Sequence, residues 1–282
     1  MVRTLVCFHA HPDDEALLTA GVMAKAAAAG HRVVLVVATR GDVGEVAGHF
    51  LNADEELADR RWRELEQSAH ILGVQRLEWL GYTDSGSSEH NAHDNQPIAH
   101  PHASFVAAAV DEAAGLLAEI LNQEHADVLT SYDPNGGYGH PDHVQVHRVG
   151  ARAAELANTP VVLEATIDRD LMRMGVELAL SLGYLLPPNF SPESFDNWYT
   201  PPHELTHAID VRDQLAAKRS AMEAHASQTT AQDDDTTRSL EVFLSLPPDY
   251  FELAFGTEWF VDRTRPGGIT IDDIFDPPPD PS

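Results

Sequence analysis

Short apolar runs alternate with longer amphipathic stretches from residue 4 to residue 167, and this alternation constrains the fold more than any other feature. Residues 4–8 (Thr-Leu-Val-Cys-Phe) predict a buried strand. Residues 15–29, alanine-rich with Leu17, Leu18 and Met23, predict a helix that Gly30 stops. Residues 32–38 are apolar after Arg32 and predict a second strand. Strand, helix and strand within about 35 residues form a βαβ unit, whose crossover is right-handed. The pattern continues with a helix at 55–72, a strand at 76–80, a helix at 103–124 and a strand at Asp127–Ser131. A helix at 143–157 and a strand at 161–167 complete it. The expected fold is α/β: a Rossmann-like, doubly wound, mostly parallel sheet in a three-layer α/β/α arrangement. Beyond residue 170, Pro187-Pro188 and Pro201-Pro202 interrupt the signal, and only a helix near 212–226 stands out. An irregular C-terminal part is expected there. Residues 1–270 are expected to form one domain, and residues 271–282, acidic and Pro-rich, a solvated tail.

Charge narrows the function. The chain has 18 Lys+Arg against 45 Asp+Glu, a formal net charge of −27. Phosphate backbones and anionic lipid repel such a surface, so neither nucleic acid nor a membrane is an expected partner. Cys7 is the sole cysteine, which excludes an intramolecular disulfide and a cysteine-rich zinc module. No apolar run reaches the roughly 18 residues of a membrane span. The first residues lack the apolar region of a signal peptide, so the expected compartment is the cytoplasm. A homo-oligomer stays open.

Two loops carry chemistry. His9-Ala10-His11-Pro12-Asp13-Asp14-Glu15 follows the first strand, and Tyr132 to His143 (Tyr-Asp-Pro-Asn-Gly-Gly-Tyr-Gly-His-Pro-Asp-His) follows the strand at 127–131. Both contain His-Pro-Asp, and both sit at the carboxyl end of an expected parallel strand, where open α/β sheets bind ligands. His11 and Asp14, three apart at a strand-to-helix turn, can share one divalent ion; a third ligand from the second loop would leave a position for water. Of the adjacent pair Asp13 and Asp14, one carboxylate can bind metal while the other serves as a base. The bland alternative is that the Asp pair merely caps a helix. Recurrence of His-Pro-Asp at two equivalent strand ends argues against it.

His11-Pro12-Asp13-Asp14-Glu15 and Gly139-His140-Pro141-Asp142-His143 resemble the two signatures of the LmbE/PIG-L zinc N-deacetylases. The stretch from Tyr132 to His143 is especially similar to the actinobacterial branch that handles mycothiol precursors and conjugates. Weaker echoes are Arg61-x-x-Glu64-Leu65, Leu72-Gly73-Val74, Asp84-Ser85-Gly86 and Ala224-His225-Ala226-Ser227-Gln228. The resemblance implies a hydrolase that removes the N-acetyl group from N-acetylglucosamine-type glycosides, a small-molecule amino-sugar substrate, and a deacetylase domain over most of the chain. It implies His11, Asp14 and His143 as ligands of Zn²⁺, with Fe²⁺ also suited to the donors. It makes Asp13 the general base, His140 the acid for the leaving amine, Asp142 the residue that orients His140, and Tyr138 an oxyanion donor. Arg61 and Asp84 become substrate-binding residues. Amide hydrolysis of a larger thiol or antibiotic glycoconjugate is the neighbouring reading; a metal- or sugar-binding protein without turnover is the reading of another class.

The remaining marked residues read as support. His9 is expected to turn away from the site. His90, His93, His100 and His102 lie in a long polar loop, 84–102, and read as members of a lid. Trp62 and Trp79 read as core, Cys7 as inert, and Trp198 and Tyr199 as either a sugar platform or packing.

Overall fold

The computed structural model of the chain describes residues 1–44, 46, 50–52, 54–86, 104–181, 183, 195–229, 238–268 and 271–277. In chain order its elements are β1 (Thr4–His9), α1 (Asp14–Leu18), α2 (Ala20–Ala28), β2 (Arg32–Val37), α3 (Leu57–Ile71) and β3 (Arg76–Trp79). Then come α4 (Val110–Glu124), β4 (Val128–Tyr132), α5 (Pro141–Ala157), β5 (Val161–Thr166) and α6 (Arg169–Ser181). The last are β6 (His207–Asp210), α7 (Leu215–Ala224), α8 (Ala226–Thr229), α9 (Ser239–Ser245), α10 (Pro248–Phe255) and β7 (Thr257–Val261).

The strands form one seven-stranded sheet in the order β3-β2-β1-β4-β5-β7-β6. The first five are mutually parallel, as expected. β7 runs antiparallel to both β5 and β6. Alternate side chains of each strand enter different cores, because successive Cβ atoms point to opposite faces. Leu5, Cys7, Val33 and Leu35 pack with Met23, Leu65 and Met222 on one face. Val6, Phe8, Val34 and Val36 pack with Leu117, Leu121, Val146 and Val149 on the other. The sheet is thus buried on both sides, which is why its strands read as continuous apolar runs. Trp62 and Trp79 lie partly buried against the first of these cores, and Cys7 is fully buried in it.

Several expectations need correction. The helix expected over 15–29 breaks at Thr19, whose φ is −138° and ψ 4°. The Thr19 hydroxyl meets His9 Nε2 at 2.8 Å. The break frees the N-terminus of α2, where Glu258 of β7 accepts from the amides of Gly21 (2.7 Å) and Val22 (2.8 Å). Lys218 Nζ closes on the same carboxylate at 2.6 Å. A buried carboxylate from 237 residues away therefore satisfies donors that a helix start leaves open. The helix expected over 103–124 begins only at Val110, after a 3₁₀ turn at Phe105–Ala107. The second loop's helix starts at Pro141, a residue suited to the first helical position. The C-terminal part is less irregular than expected, since α6, β6, β7 and the short helices after 225 are regular. The solvated tail does not begin at 271. Ile274 and Phe275 are buried, and Ile271 bridges to His207 of β6.

Candidate metal centre

β1 and β4 are neighbours in the middle of the sheet, paired Leu5↔Val128 through Cys7↔Thr130. β1 connects onward to β2 on one side and β4 to β5 on the other, so their carboxyl ends open a crevice at the switch point of the fold. The two His-Pro-Asp loops face each other across it. The first is tight: Asp13 has φ 95°, a conformation that Asp and Asn tolerate better than most residues. The second packs onto α5 through Gly136, at φ +63°, where a Cβ would lie 2.6 Å from the amide nitrogen of Val144.

This geometry brings His11, Asp14 and His143 together, each nearly fully buried. Asp14 lies between the two rings, with Oδ2 3.4 Å from His11 Nδ1 and Oδ1 3.4 Å from His143 Nε2. Asp14 Oδ2 also accepts the His11 amide at 2.9 Å, which fixes the carboxylate over the turn. Two further carboxylates surround the far side of His11. Its Nε2 is 3.1 Å from Asp142 Oδ2 and 3.4 Å from Asp84 Oδ1. Two triads have donor atoms within 4.8 Å of one another: His11, His140 and His143, and His11, Asp84 and Asp142. Burial opposes charge on the His11 ring, but Asp84, Asp14 and Asp142 outweigh it and hold its pKa well above the ordinary value. Burial likewise opposes charge on Asp14, yet His143 and His11 hold its carboxyl well below the usual range.

These residues fit a divalent cation. His143 Nε2 is buried and has no hydrogen-bond partner, a costly state for an imidazole nitrogen. It faces a carboxylate oxygen of Asp14, and the carboxylates of Asp14, Asp84 and Asp142 gather round the His11 imidazole. Nitrogen and oxygen donors of this kind suit Zn²⁺ or Fe²⁺.

Asp13 stands apart from Asp14. Its Oδ2 lies 3.2 Å from Arg61 Nη2, and burial pushes its carboxyl up to about 6 despite that guanidinium. Arg61 is itself buried. It donates to the carbonyls of Pro12 (2.5 Å) and Gly41 (3.0 Å), threading past a glycine where a Cβ would lie 2.1 Å from Nη1. Arg61 thus holds the first loop and its base. Asp84 is also committed, to His11 and to the amide of Gly86 at 2.8 Å. Both residues nonetheless wall a small cavity of about 280 Å³ together with His11, Asp13, Asp14 and His140.

The role expected of Asp142 needs revision. Its carboxylate is taken by Ser85, through the amide at 2.9 Å and the hydroxyl at 2.6 Å, and by His11. Only its backbone N–H reaches His140, at Nδ1, 3.2 Å away. Burial, with His11 and His143 alongside, pushes the His140 pKa down to about 4. The Tyr138 ring stands 5.0 Å from the His143 ring and 6.0 Å from that of Trp198, which packs in turn on Phe195 at 5.5 Å. His9 does not line the small cavity. It is fully buried between Thr19 and Tyr132 Oη (2.8 Å), and the Tyr132 ring packs 4.9 Å from His143. His90, His93, His100 and His102 lie outside the described residues.

Some supporting residues escaped sequence reasoning. Glu15 meets His225 Nε2 at 2.6 Å and accepts from Ser68 at 2.6 Å, all of them buried. Glu64 accepts from Ser227 through its amide (2.9 Å) and hydroxyl (2.6 Å). The signal was present in the Arg61-x-x-Glu64 and His225-Ala226-Ser227 echoes, but which residue each would meet was not.

A model of the PIG-L family, described as GlcNAc-PI de-N-acetylase, matches residues 6–154. A 1D-myo-inositol 2-acetamido-2-deoxy-alpha-D-glucopyranoside deacetylase from Mycobacteroides abscessus is 37% identical over 256 residues, covering 87% of this chain and 88% of that protein. One of the same name from Acidothermus cellulolyticus is 36% identical over 275 residues, covering 93% and 89%. Among solved structures, the N,N'-diacetylchitobiose deacetylase from Pyrococcus horikoshii shares the fold at a TM-score of 0.53 and 22% identity, covering 92% of this chain and 82% of that one. The A40926 pseudoaglycone deacetylase does so at 0.58 and 16%, covering 92% and 96%. The match over both His-Pro-Asp loops, with relatives 36–37% identical over most of both chains, establishes that the chain belongs to the PIG-L family.

Proposed function

We propose that this chain is a divalent-metal-dependent hydrolase that removes the N-acetyl group from an N-acetylglucosamine-type glycoside, with an N-acetylglucosaminyl inositol as the first substrate to try. The observation that carries the proposal is the unpartnered His143 Nε2, 3.4 Å from Asp14 and buried beside His11. The names of the relatives at 36–37% identity supply the substrate class.

His11, Asp14 and His143 would hold the ion, Zn²⁺ first and Fe²⁺ second. When bound, such an ion lowers the pKa of water and polarises the amide carbonyl. Asp13 takes the water's proton at its carboxylate. It is free to do so because Asp14, not Asp13, lies between the two imidazoles. Arg61 keeps Asp13 in place through Oδ2 and the Pro12 carbonyl. Tyr138 lines the cavity beside His140 and is placed to donate to the oxyanion of the tetrahedral intermediate, a contribution of about 2–4 kcal/mol at comparable sites. His140 accepts the Asp142 amide at Nδ1, which leaves its Nε2–H to hold the leaving nitrogen, and the proton that the amine takes up is the one Asp13 drew from water. A binding protein without turnover would leave Asp13 and His140 with no task.

The test is acetate release from N-acetylglucosaminyl inositol by purified protein, stripped by chelator and then reconstituted with Zn²⁺ or Fe²⁺. Turnover that vanishes on stripping and returns with the ion is expected. Metal-replete protein that releases no acetate from any N-acetyl sugar tested would overturn the proposal. Among the described residues no helix is long and apolar enough to cross a membrane.

A further inference from the structure

Asp13 is held at both ends. Arg61 Nη2 meets its carboxylate at 3.2 Å, and Glu15 Oε2 accepts its backbone N–H at 2.9 Å. The second contact matters because Asp13 has φ 95°, a strained conformation that persists only where its surroundings hold it. Glu15 is held in turn. Ser68 Oγ donates to its Oε1 at 2.6 Å, and His225 Nε2 lies 2.6 Å from the same oxygen. Glu15, Ser68 and His225 are each fully buried, and none of them lines the small cavity. Burial opposes charge on the His225 ring, but Glu15 outweighs it and holds its pKa above the ordinary value, so Nε2 is the donor.

The fold alone does not ask for this web. The buried face of α3 presents Arg61, Glu64 and Ser68 at i, i+3 and i+7, where a helix packed on a sheet ordinarily presents apolar side chains. Buried polar groups cost free energy unless each finds a partner. A buried ion pair adds little to stability over apolar residues of the same volume. Here all three side chains serve one place. Arg61 takes the Asp13 carboxylate and the Pro12 carbonyl. Ser68 takes Glu15. Glu64 accepts from the amide and hydroxyl of Ser227, and so pins the corner between α7 and α8 that carries His225.

We propose that His225 is a positioning residue for the general base: through Glu15 and the Asp13 amide, it fixes the direction in which the Asp13 carboxylate points. The inference rests on the hydrolase reading above and adds a residue that acts from outside the cavity. The Pro12 carbonyl and the Asp13 N–H belong to one peptide group, and in a trans peptide they point opposite ways. Arg61 grips the first and Glu15 the second, so the pair fixes the rotation of the peptide plane from which the Asp13 side chain springs. Neither grip does so alone. Asp13 moves a proton twice in the reaction, from water and then to the leaving amine, so an error in its direction is felt in both steps.

The experiment is a double-mutant cycle on the metal-loaded full-length chain, with kcat for acetate release from N-acetylglucosaminyl inositol expressed per bound ion. His225→Leu removes the donor. It should lower kcat on the order of 10- to 100-fold, the scale for a partner that holds a reacting group, with KM and metal stoichiometry within about twofold. His225→Gln, whose amide still donates to Glu15, should recover most of that loss. In an Asp13→Asn background there is no base left to aim, so adding His225→Leu should change kcat by less than about twofold. Should His225→Leu not fold, Ser68→Ala runs the same cycle, with a several-fold loss expected in the Asp13 chain and none in the Asp13→Asn chain. An equal loss in both backgrounds, a loss carried by KM or by metal content, no loss at all, or a His225→Gln chain no better than His225→Leu would overturn the positioning role and leave the hydrolase reading standing. No acetate from any N-acetyl sugar with the unsubstituted chain would overturn that reading, and the inference with it.

Discussion

At the residue scale, adjacency makes Asp13 and Asp14 easy to confuse, and geometry separates them. Asp14 lies 3.4 Å from each of two imidazole nitrogens, whereas Asp13 lies against Arg61. Asp13→Asn is expected to keep the metal and the fold but to lose on the order of 10²–10⁴ in kcat, the usual cost of a general base. The fold should survive because asparagine tolerates the φ of 95° that Asp13 adopts. Turnover measured alongside metal stoichiometry decides it; near-normal turnover, or turnover lost only in step with metal, would contradict the assignment. The sequence already put the two loops at the ends of neighbouring parallel strands, and the family resemblance then picked out His143 beside His11 and Asp14. The Asp142 carboxylate was not legible, because its partner Ser85 lies in a different loop, 57 residues earlier.

At the element scale, periodicity revealed what is repetitive and missed what depends on distant partners. β1 and β2 are largely apolar runs buried on both faces, and β4 and β5 open on Val-Leu and Val-Val-Leu, so each announces itself. β7 carries Glu258 as its second residue, and β6 begins with His207 and ends with Asp210, so neither reads as a core strand. Glu258 is nonetheless buried, because it caps α2 and pairs with Lys218. The break of the first helix at Thr19 leaves open the amides that Glu258 caps, and no window around residue 19 contains Glu258. Lys218→Met leaves the Glu258 carboxylate buried without its cation. The expected cost is about 3–5 kcal/mol, on the scale of other broken buried pairs. Differential scanning calorimetry should show a Tm lower by roughly 10 °C. A shift under about 2 °C would mean that the α2 amides alone sustain the carboxylate.

At the scale of the whole molecule, an acidic chain is held together at particular points by its few cations. Glu124, at the end of α4, bridges Arg32 at the start of β2 and Arg76 of β3, with Arg76 at 2.9 Å. The hydrogen bond from Arg32, then burial opposing it and the bond from Arg76, leave its carboxyl at about 2. A carboxyl depressed in the folded state binds fewer protons there than in the unfolded chain. Its stabilisation is therefore complete above the unfolded value near 4.5 and is lost as pH falls from there toward 2. Glu124→Gln should cost roughly 1 kcal/mol at pH 7, after allowance for solvent screening, and nothing extra near pH 2. Urea unfolding across that range measures it; a cost that does not shrink with acid would contradict the bridge. A cavity of about 920 Å³ that Asp13, Asp14 and His143 also line belongs to this scale too, since α6, α9 and α10 wall it and none of them was predicted from sequence. The most direct test of the centre is an anomalous-difference map from a crystal of the Zn²⁺-loaded chain. The expected result is one peak about 2.0–2.2 Å from His11 Nδ1, Asp14 and His143 Nε2. A peak at His11 Nε2 between Asp84 and Asp142, or no peak in the crevice, would contradict the assignment.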